Sequence, residues 1–431
     1  MNTLKNRILR LWLIITILLP ASYAFSQINS PYSNFGLGNL QSGKSIFYNS
    51  MGGIGIGMGS DLYINPSNPA TYAAFDTLSF VFDMGVYTKS VTLNTIRQSE
   101  SYNNAGIDYI TFAFPIARWW KTSLGLLPYS QVNYAMNSRQ NLPGVGNLEY
   151  NYEGSGGINK FYWGHAVKFG NENYLSLGAN VSYLFGTVTD KQSASFPDSV
   201  FFLYTKNIGS LTYKDLCFDF GAYFNYEFGK DNDYVLGLGA VYALGENVNA
   251  SRSRLTYTYI LSSLGVDYIK DTLYYVKDLE GTVGMPQTLG AGFSFKKKNK
   301  CHFGADVEYR NWEDFHIFNV NEKMENSLRF AAGGQFMPGG ETVGNYWNWV
   351  RYRAGFYYHK SALQIEETAI NEFGITFGIG MPLRRSRSTI NLGFEIGSRG
   401  TSNEDLIKET FLNLRLGFSI YENWFIKQKF N

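Results

Sequence analysis

The chain has 431 residues, a formal net charge of +2, 45 glycines, 32 Tyr and 33 Phe against only 11 Pro. So balanced a charge gives no electrostatic reason to expect nucleic acid as a partner. The four histidines (His165, His302, His316 and His359) are scattered without metal-ligand spacing, and no nucleophile stands beside a base, so neither a metal, a cofactor nor an enzymatic activity is expected.

Lys5, Arg7 and Arg10 precede the apolar stretch Leu11 to Leu19, which Pro20 ends; Ala24-Phe25-Ser26 then suits cleavage before Gln27. Residues 1–26 therefore read as a signal peptide. No later stretch has 18 consecutive apolar residues, so no transmembrane helix is expected. An exported, aromatic-rich chain of this kind is either a soluble β-protein or a membrane barrel.

Residues 27–77 show little strand alternation. Their densest feature is the glycine run Met51 to Gly59, including Gly52 and Gly53. No Lys-Ser or Lys-Thr follows it, so it is not a phosphate-binding loop. Asn65-Pro66-Ser67-Asn68-Pro69-Ala70 then marks tight turns.

From residue 78 to 431 the pattern changes to strict alternation. In Leu216 to Phe228, the apolar Leu216, Phe218, Phe220, Ala222, Phe224, Tyr226 and Phe228 share one face. Such runs exceed the usual strand of about 5–6 residues and suit membrane strands of about 9–11. Fourteen of them can be placed, among them Lys121 to Met136 as the third and Tyr234 to Asn249 as the seventh. Long gaps after odd strands alternate with short turns after even ones, as long outer loops and short periplasmic turns would. The predicted fold is all-β: a 14-stranded antiparallel transmembrane β-barrel, with residues 27–77 as an N-terminal plug inside the lumen.

The opposite faces of the strands carry Asp83, Asp219, Glu227, Asp306, Glu308, Arg310, Glu395, Arg399 and Arg415, which are expected to pair with one another as lumen charges. Val235, Gly237, Gly239, Val241, Ala243, Gly290 and Gly292 leave room inside, for the plug or for an apolar ligand. Cys217 and Cys301 are predicted to lie too far apart in height for a disulfide. In the third strand, Pro128-Tyr129 interrupts the ladder and predicts a bulge or kink. The outer loop Tyr257 to Tyr275 reads as a greasy capture site or a self-packed cap. The aromatics of Trp424 to Phe430 suit the periplasmic interface.

Gly52, Gly53, Asn68-Pro69-Ala70 and the strand that follows resemble the N-terminal hatch of the FadL family. Those proteins carry long-chain fatty acids and other hydrophobic compounds across the Gram-negative outer membrane. The resemblance implies a hatch at Gly52, Gly53, Asn68, Pro69 and Ala70, and a lateral opening at the kink Pro128, Tyr129. It also implies passive uptake of a hydrophobic small-molecule ligand, released sideways into outer-membrane lipid. Relatives of the PorV type share the fold and act in protein secretion. The alternative function is thus an outer-membrane scaffold or shuttle that binds secreted or surface protein partners.

Overall fold

The computed structural model describes residues 30–198, 202–262, 265–339, 345–403 and 406–423. The expected signal peptide and the aromatics from Trp424 to Phe430 lie outside the described residues. Fourteen antiparallel strands form a closed barrel. They are β1 (Ser79–Asn94), β2 (Ser99–Pro115), β3 (Trp120–Leu142), β4 (Gly146–Gly170), β5 (Tyr174–Ser195), β6 (Tyr204–Phe228) and β7 (Tyr234–Ala243), followed by β8 (Gln287–Lys297), β9 (Cys301–Asn311), β10 (Ser327–Phe336), β11 (Arg351–Lys360), β12 (Glu372–Pro382), β13 (Thr389–Arg399) and β14 (Lys408–Asn423). Closure comes from β14 against β1, in register from Ser79↔Asn423 to Asn94↔Lys408.

Alternation drives this arrangement. Leu175, Leu177, Leu216, Phe220, Phe224, Leu238, Phe293, Phe330, Phe377 and Leu414 all point outward and are exposed, which in water would be an unusually large apolar patch. In a bilayer it is the lipid-facing belt. Trp119 and Phe169 sit by the short turns, where aromatic side chains mark the periplasmic interface. The protein is an outer-membrane β-barrel.

Four strands run far beyond the membrane. β3 to β6 contain 22 to 25 residues each, at least twice what a tilted membrane strand needs. Their upper halves form a wall rising from the outer face. The expected seventh strand, Tyr234 to Asn249, is shorter than the sequence suggests: β7 stops at Ala243, pairs with β8 on one side and on the other meets only the lower half of β6, from Asp219 to Phe228. The segment read as an outer loop, Tyr257 to Tyr275, lies within a hairpin of strands Asn247–Leu261 and Asp267–Gly284. The first of these takes over the upper half of β6, pairing Ala250↔Tyr213 through Tyr259↔Tyr204. Cys217 on β6 and Cys301 at the start of β9 are both free thiols.

Residues 30–76 lie inside this wall. Their regular elements are short: a 3-10 turn at Pro31–Asn34, one helical turn at Ile46–Asn49 and a 3-10 helix at Pro69–Ala74. Ile46, Tyr48, Met51, Ile54, Met58, Ile64 and Tyr72 are almost wholly buried and make up much of the core with Tyr109 and Tyr162 of the wall.

Candidate functional site

The wall is shaped to receive the backbone of the N-terminal segment. A Cβ added at Gly239 would stand 1.8 Å from Ile56 O; at Gly292, 2.9 Å from Gly57 N; at Gly355, 2.2 Å from Met51 C. At Gly178 it would meet Ala70 N at 2.4 Å, and at Gly221 the Asn68 amide oxygen at 2.1 Å. At Gly239, Gly355 and Gly178 the space is taken by the segment's main chain and at Gly221 by the Asn68 side chain, while at Gly292 the Asp306 carboxylate stands nearer still, so the segment packs against the small inner residues of β7 and β8. Gly52 and Gly53 themselves have φ of 73° and 75°, the left-handed region that favours glycine.

Polar groups then fix the segment. Irregular backbone at membrane depth must have its donors and acceptors satisfied by protein. The Asp306 carboxylate accepts from Gly55 N (2.6 Å) and Ile56 N (2.9 Å). Gly52 N donates to Thr376 Oγ1 at 2.7 Å, while Arg329 and Lys44 donate to the carbonyls of Gly52 and Gly53. Asn68 is fully buried: its amide oxygen caps Ala70 N (3.1 Å), and its Nδ2 donates to Ile56 O (2.7 Å) and Ala222 O (3.2 Å). Pro69 opens the 3-10 helix at its first turn, where a missing N–H costs nothing. Ser176 Oγ donates to Ala70 O at 2.8 Å.

The charged residues singled out in the sequence sort into separate groups. Asp83 is buried and accepts from Tyr109 Oη (3.1 Å) and Ser419 Oγ (2.9 Å). Arg415 bridges Glu395 and Asp108, the latter at 3.3 Å, and the Tyr357 hydroxyl stands 2.7 Å from Glu395. Glu308 and Arg310 pair at 2.7 Å, and Asp219 pairs with Lys160. Arg399 holds Asn39 Oδ1 at 2.6 Å. Glu227 lies apart from these, at the periplasmic mouth, where it pairs with Lys298 at 2.6 Å. Arg329, Arg353 and Lys44 were not singled out in the sequence, although they hold the segment from inside. Only their odd position on otherwise alternating strands, or beside the glycine run, could have flagged them.

The wall has a seam. β2 and β3 pair only from Pro115↔Lys121 to Ile110↔Leu126. Above that level β2 pairs with β1 alone, while β3 continues with β4 up to Leu142↔Gly146. The separation starts beside Leu126 and Ile107, which still face lipid. Pro128-Tyr129 stands at this level: register slips between Pro128↔Asn159 and Ser130↔Ile158, so Tyr129 is an extra residue and the strand bends.

The N-terminal strap, residues 30–41, covers the seam from inside. Asn39 and Leu40 pair with Gln131 and Ser130 of β3. Ser30 N donates to Asn133 O (3.1 Å), Gln41 N to Tyr129 O (2.9 Å), and Asn133 N to Ser33 Oγ (3.1 Å). On its other side the strap is held by the Ser30–Glu409 hydrogen bond and by Tyr32 Oη donating to Ile407 O at 2.6 Å. Above the glycine run and against this strap is a cavity of about 260 Å³, bordered by Leu37, Tyr87, Asp108, Arg310, Glu395 and Arg415.

A fourteen-stranded barrel with an N-terminal segment packed against its wall and a β2–β3 ladder that ends part-way has relatives among known proteins. The BamG family matches residues 5–431. The chain belongs to the BamG family. Among solved structures, this BamG-family barrel resembles the toluene transporter TbuX of Ralstonia pickettii (TM-score 0.57, 13% identity, 88% of this chain and 98% of that one). It also resembles the toluene transporter TodX of Pseudomonas putida (0.55, 15%, 91% and 100%) and a FadL homologue of Pseudomonas aeruginosa (0.53, 12%, 87% and 98%). At these identities the likeness carries the fold, the FadL-like barrel. TbuX and TodX are named as toluene transporters. No curated protein matches the chain.

Proposed function

We propose that this barrel is a passive conduit for hydrophobic small molecules. A molecule enters the outer cavity, displaces the strap at residues 30–41 and leaves sideways into the bilayer through the β2–β3 seam. One observation carries this reading: the β2–β3 ladder ends at Ile110↔Leu126, and the gap above it is covered by a strap instead of a neighbouring strand. The strap is held to β3 by a handful of main-chain hydrogen bonds, each worth about 0.5–1.5 kcal/mol net. Such a cover can detach without unzipping the barrel. The charges around Arg310 and Arg415 suit a substrate with one polar end. The hydrophobic ligands named for the neighbouring structures support the same substrate class.

The test locks the strap. Leu40 and Ser130 are register partners, so Leu40→Cys with Ser130→Cys, in a background with Cys217→Ser and Cys301→Ser, places a disulfide across them. Uptake of labelled toluene and long-chain fatty acids should fall when the pair is oxidised and return on reduction. Equal uptake in both states removes the lateral route.

A second reading, a scaffold for a protein partner, is favoured by the outer hairpin. Its strand Asp267–Gly284 exposes Tyr268, Ile269, Leu273, Tyr274, Tyr275 and Leu279 above the membrane belt, where no conduit needs them. Replacing residues 250–281 by a short turn should leave uptake intact under the conduit reading. Loss of a stoichiometric partner in pull-down, with unchanged uptake, would favour the scaffold.

A further inference from the structure

At the periplasmic mouth, beneath the 3-10 helix at Pro69–Ala74, lies a second cavity of about 330 Å³. It is away from both the seam and the outer cavity. Lys121 of β3 lines it and is 1% exposed, and its Nζ has no hydrogen-bond partner. Lys168, on the neighbouring strand β4, faces the same space, with its Nζ 4.0 Å from the centre of the Tyr174 ring. Arg118 stands at the rim and Lys296 on the opposite wall.

Four carboxylates share the lining, and three of them are held by other cations. Asp61 and Asp76 are both held by Arg387, Glu227 is held by Lys298, and Glu172 accepts from Asn232 Nδ2 at 3.1 Å. Among the described residues, no carboxylate lies within ion-pair distance of Arg118, Lys121, Lys168 or Lys296. A buried ammonium with neither counter-ion nor hydrogen-bond acceptor is costly, and proteins normally supply both. The cavity provides the space for the missing anion, and Tyr174 and Phe75 give it apolar flanks.

We infer that this mouth is a phosphate-binding site, with Lys121 and Lys168 as the principal ligands and Arg118 and Lys296 completing the positive field. Several convergent cations suit a tetrahedral, multiply charged group better than a single carboxylate. The mouth stands at the level of the periplasmic leaflet, so the phosphate comes either from a phospholipid headgroup or from free inorganic phosphate.

The experiment uses the full mature barrel in detergent. Its unfolding midpoint is followed in phosphate-free buffer, then with inorganic phosphate against sodium chloride of equal ionic strength. Organic phosphorus retained after purification is counted in parallel. Wild type should be stabilised by phosphate specifically, through mass action. Lys121→Met and Lys168→Met should each lose that shift and bind phosphate about tenfold or more weakly. Lys206→Met, which removes a cation paired with Asp267 away from this cavity, should keep it. Near-stoichiometric phosphorus in wild type that is lost in Lys121→Met identifies a phospholipid; a phosphate shift without retained phosphorus identifies the free ion. No phosphate shift and no retained phosphorus overturns the inference. So does a Lys121→Met barrel whose midpoint drops in phosphate-free buffer, because Lys121 then has a partner within the protein.

Discussion

Replacing Gly239 by Ala tests whether the N-terminal segment is seated by the wall. The new Cβ would lie 1.8 Å from Ile56 O and 2.5 Å from Ile56 C, whereas Cβ contacts below 3.0 Å are essentially never seen. The obstacle is main chain, which cannot rotate away as a side chain can. The segment must retreat by more than an ångström at Ile56. That retreat breaks the Asp306 bonds to Gly55 N and Ile56 N and the Asn68 bond to Ile56 O. Two charge-assisted bonds at about 1.5–3 kcal/mol each and one neutral bond at about 1 kcal/mol give ~4–7 kcal/mol lost locally if all three go. The β-ladders are untouched, so the barrel should still assemble while the segment loosens. The assay is limited proteolysis of residues 42–76, paired with single-channel conductance in planar bilayers. Gly239→Ala should expose the segment to protease and raise conductance. Gly290→Ala is the internal control: its nearest obstacles are the methyl ends Ile56 Cδ1 (2.7 Å) and Val241 Cγ2 (2.8 Å), which can turn aside. If Gly239→Ala is as protease-resistant and as non-conducting as wild type, the seating argument fails.

Two further outcomes are expected. Deleting Tyr129 removes the extra residue of the bulge and lets β3 run in one register along β4; uptake of labelled hydrophobic compounds should fall while barrel yield and heat-modifiable migration stay as in wild type. Arg353→Met leaves the buried Asn391 Oδ1 (2.8 Å) and the half-buried Gln335 Oε1 (2.9 Å) without this donor, while Tyr63 Oη keeps Arg351 Nη1 at 3.2 Å, and urea unfolding should show a loss of about 2–4 kcal/mol.

The membrane belt was legible in the sequence because lipid on one side and a packed lumen on the other force a period of two. Leu216 to Phe228 and Ile390 to Ile396 show it without ambiguity, and their strands lie where the alternation places them. Above the belt that force is absent. In Gly146 to Asn159 of β4 the face that would meet lipid lower down carries Asn147, Glu149, Asn151 and Glu153 instead of an apolar stripe, and the strand is written in its pairing with β3 and β5. The end of β7 was misplaced for the converse reason. Val248 and Ala250 continue its alternation past the break at 244–246, but they belong to the hairpin that pairs with the top of β6. The kink at Pro128 could be seen because proline lacks the donor a ladder needs. The strap at residues 30–41 could not, since its pairing to β3 uses main-chain atoms that any sequence supplies.

The strap also bears on how the chain is made. Its first described residue, Ser30, bonds to Asn133 on β3 and to Glu409 on β14, high in a tube that closes only when β14 meets β1. The strap thus reaches its full set of bonds only once β14 is in place against β1. Whatever assembles this barrel thus handles a wrapped object, one in which Ser30 and the last strand come to rest against each other.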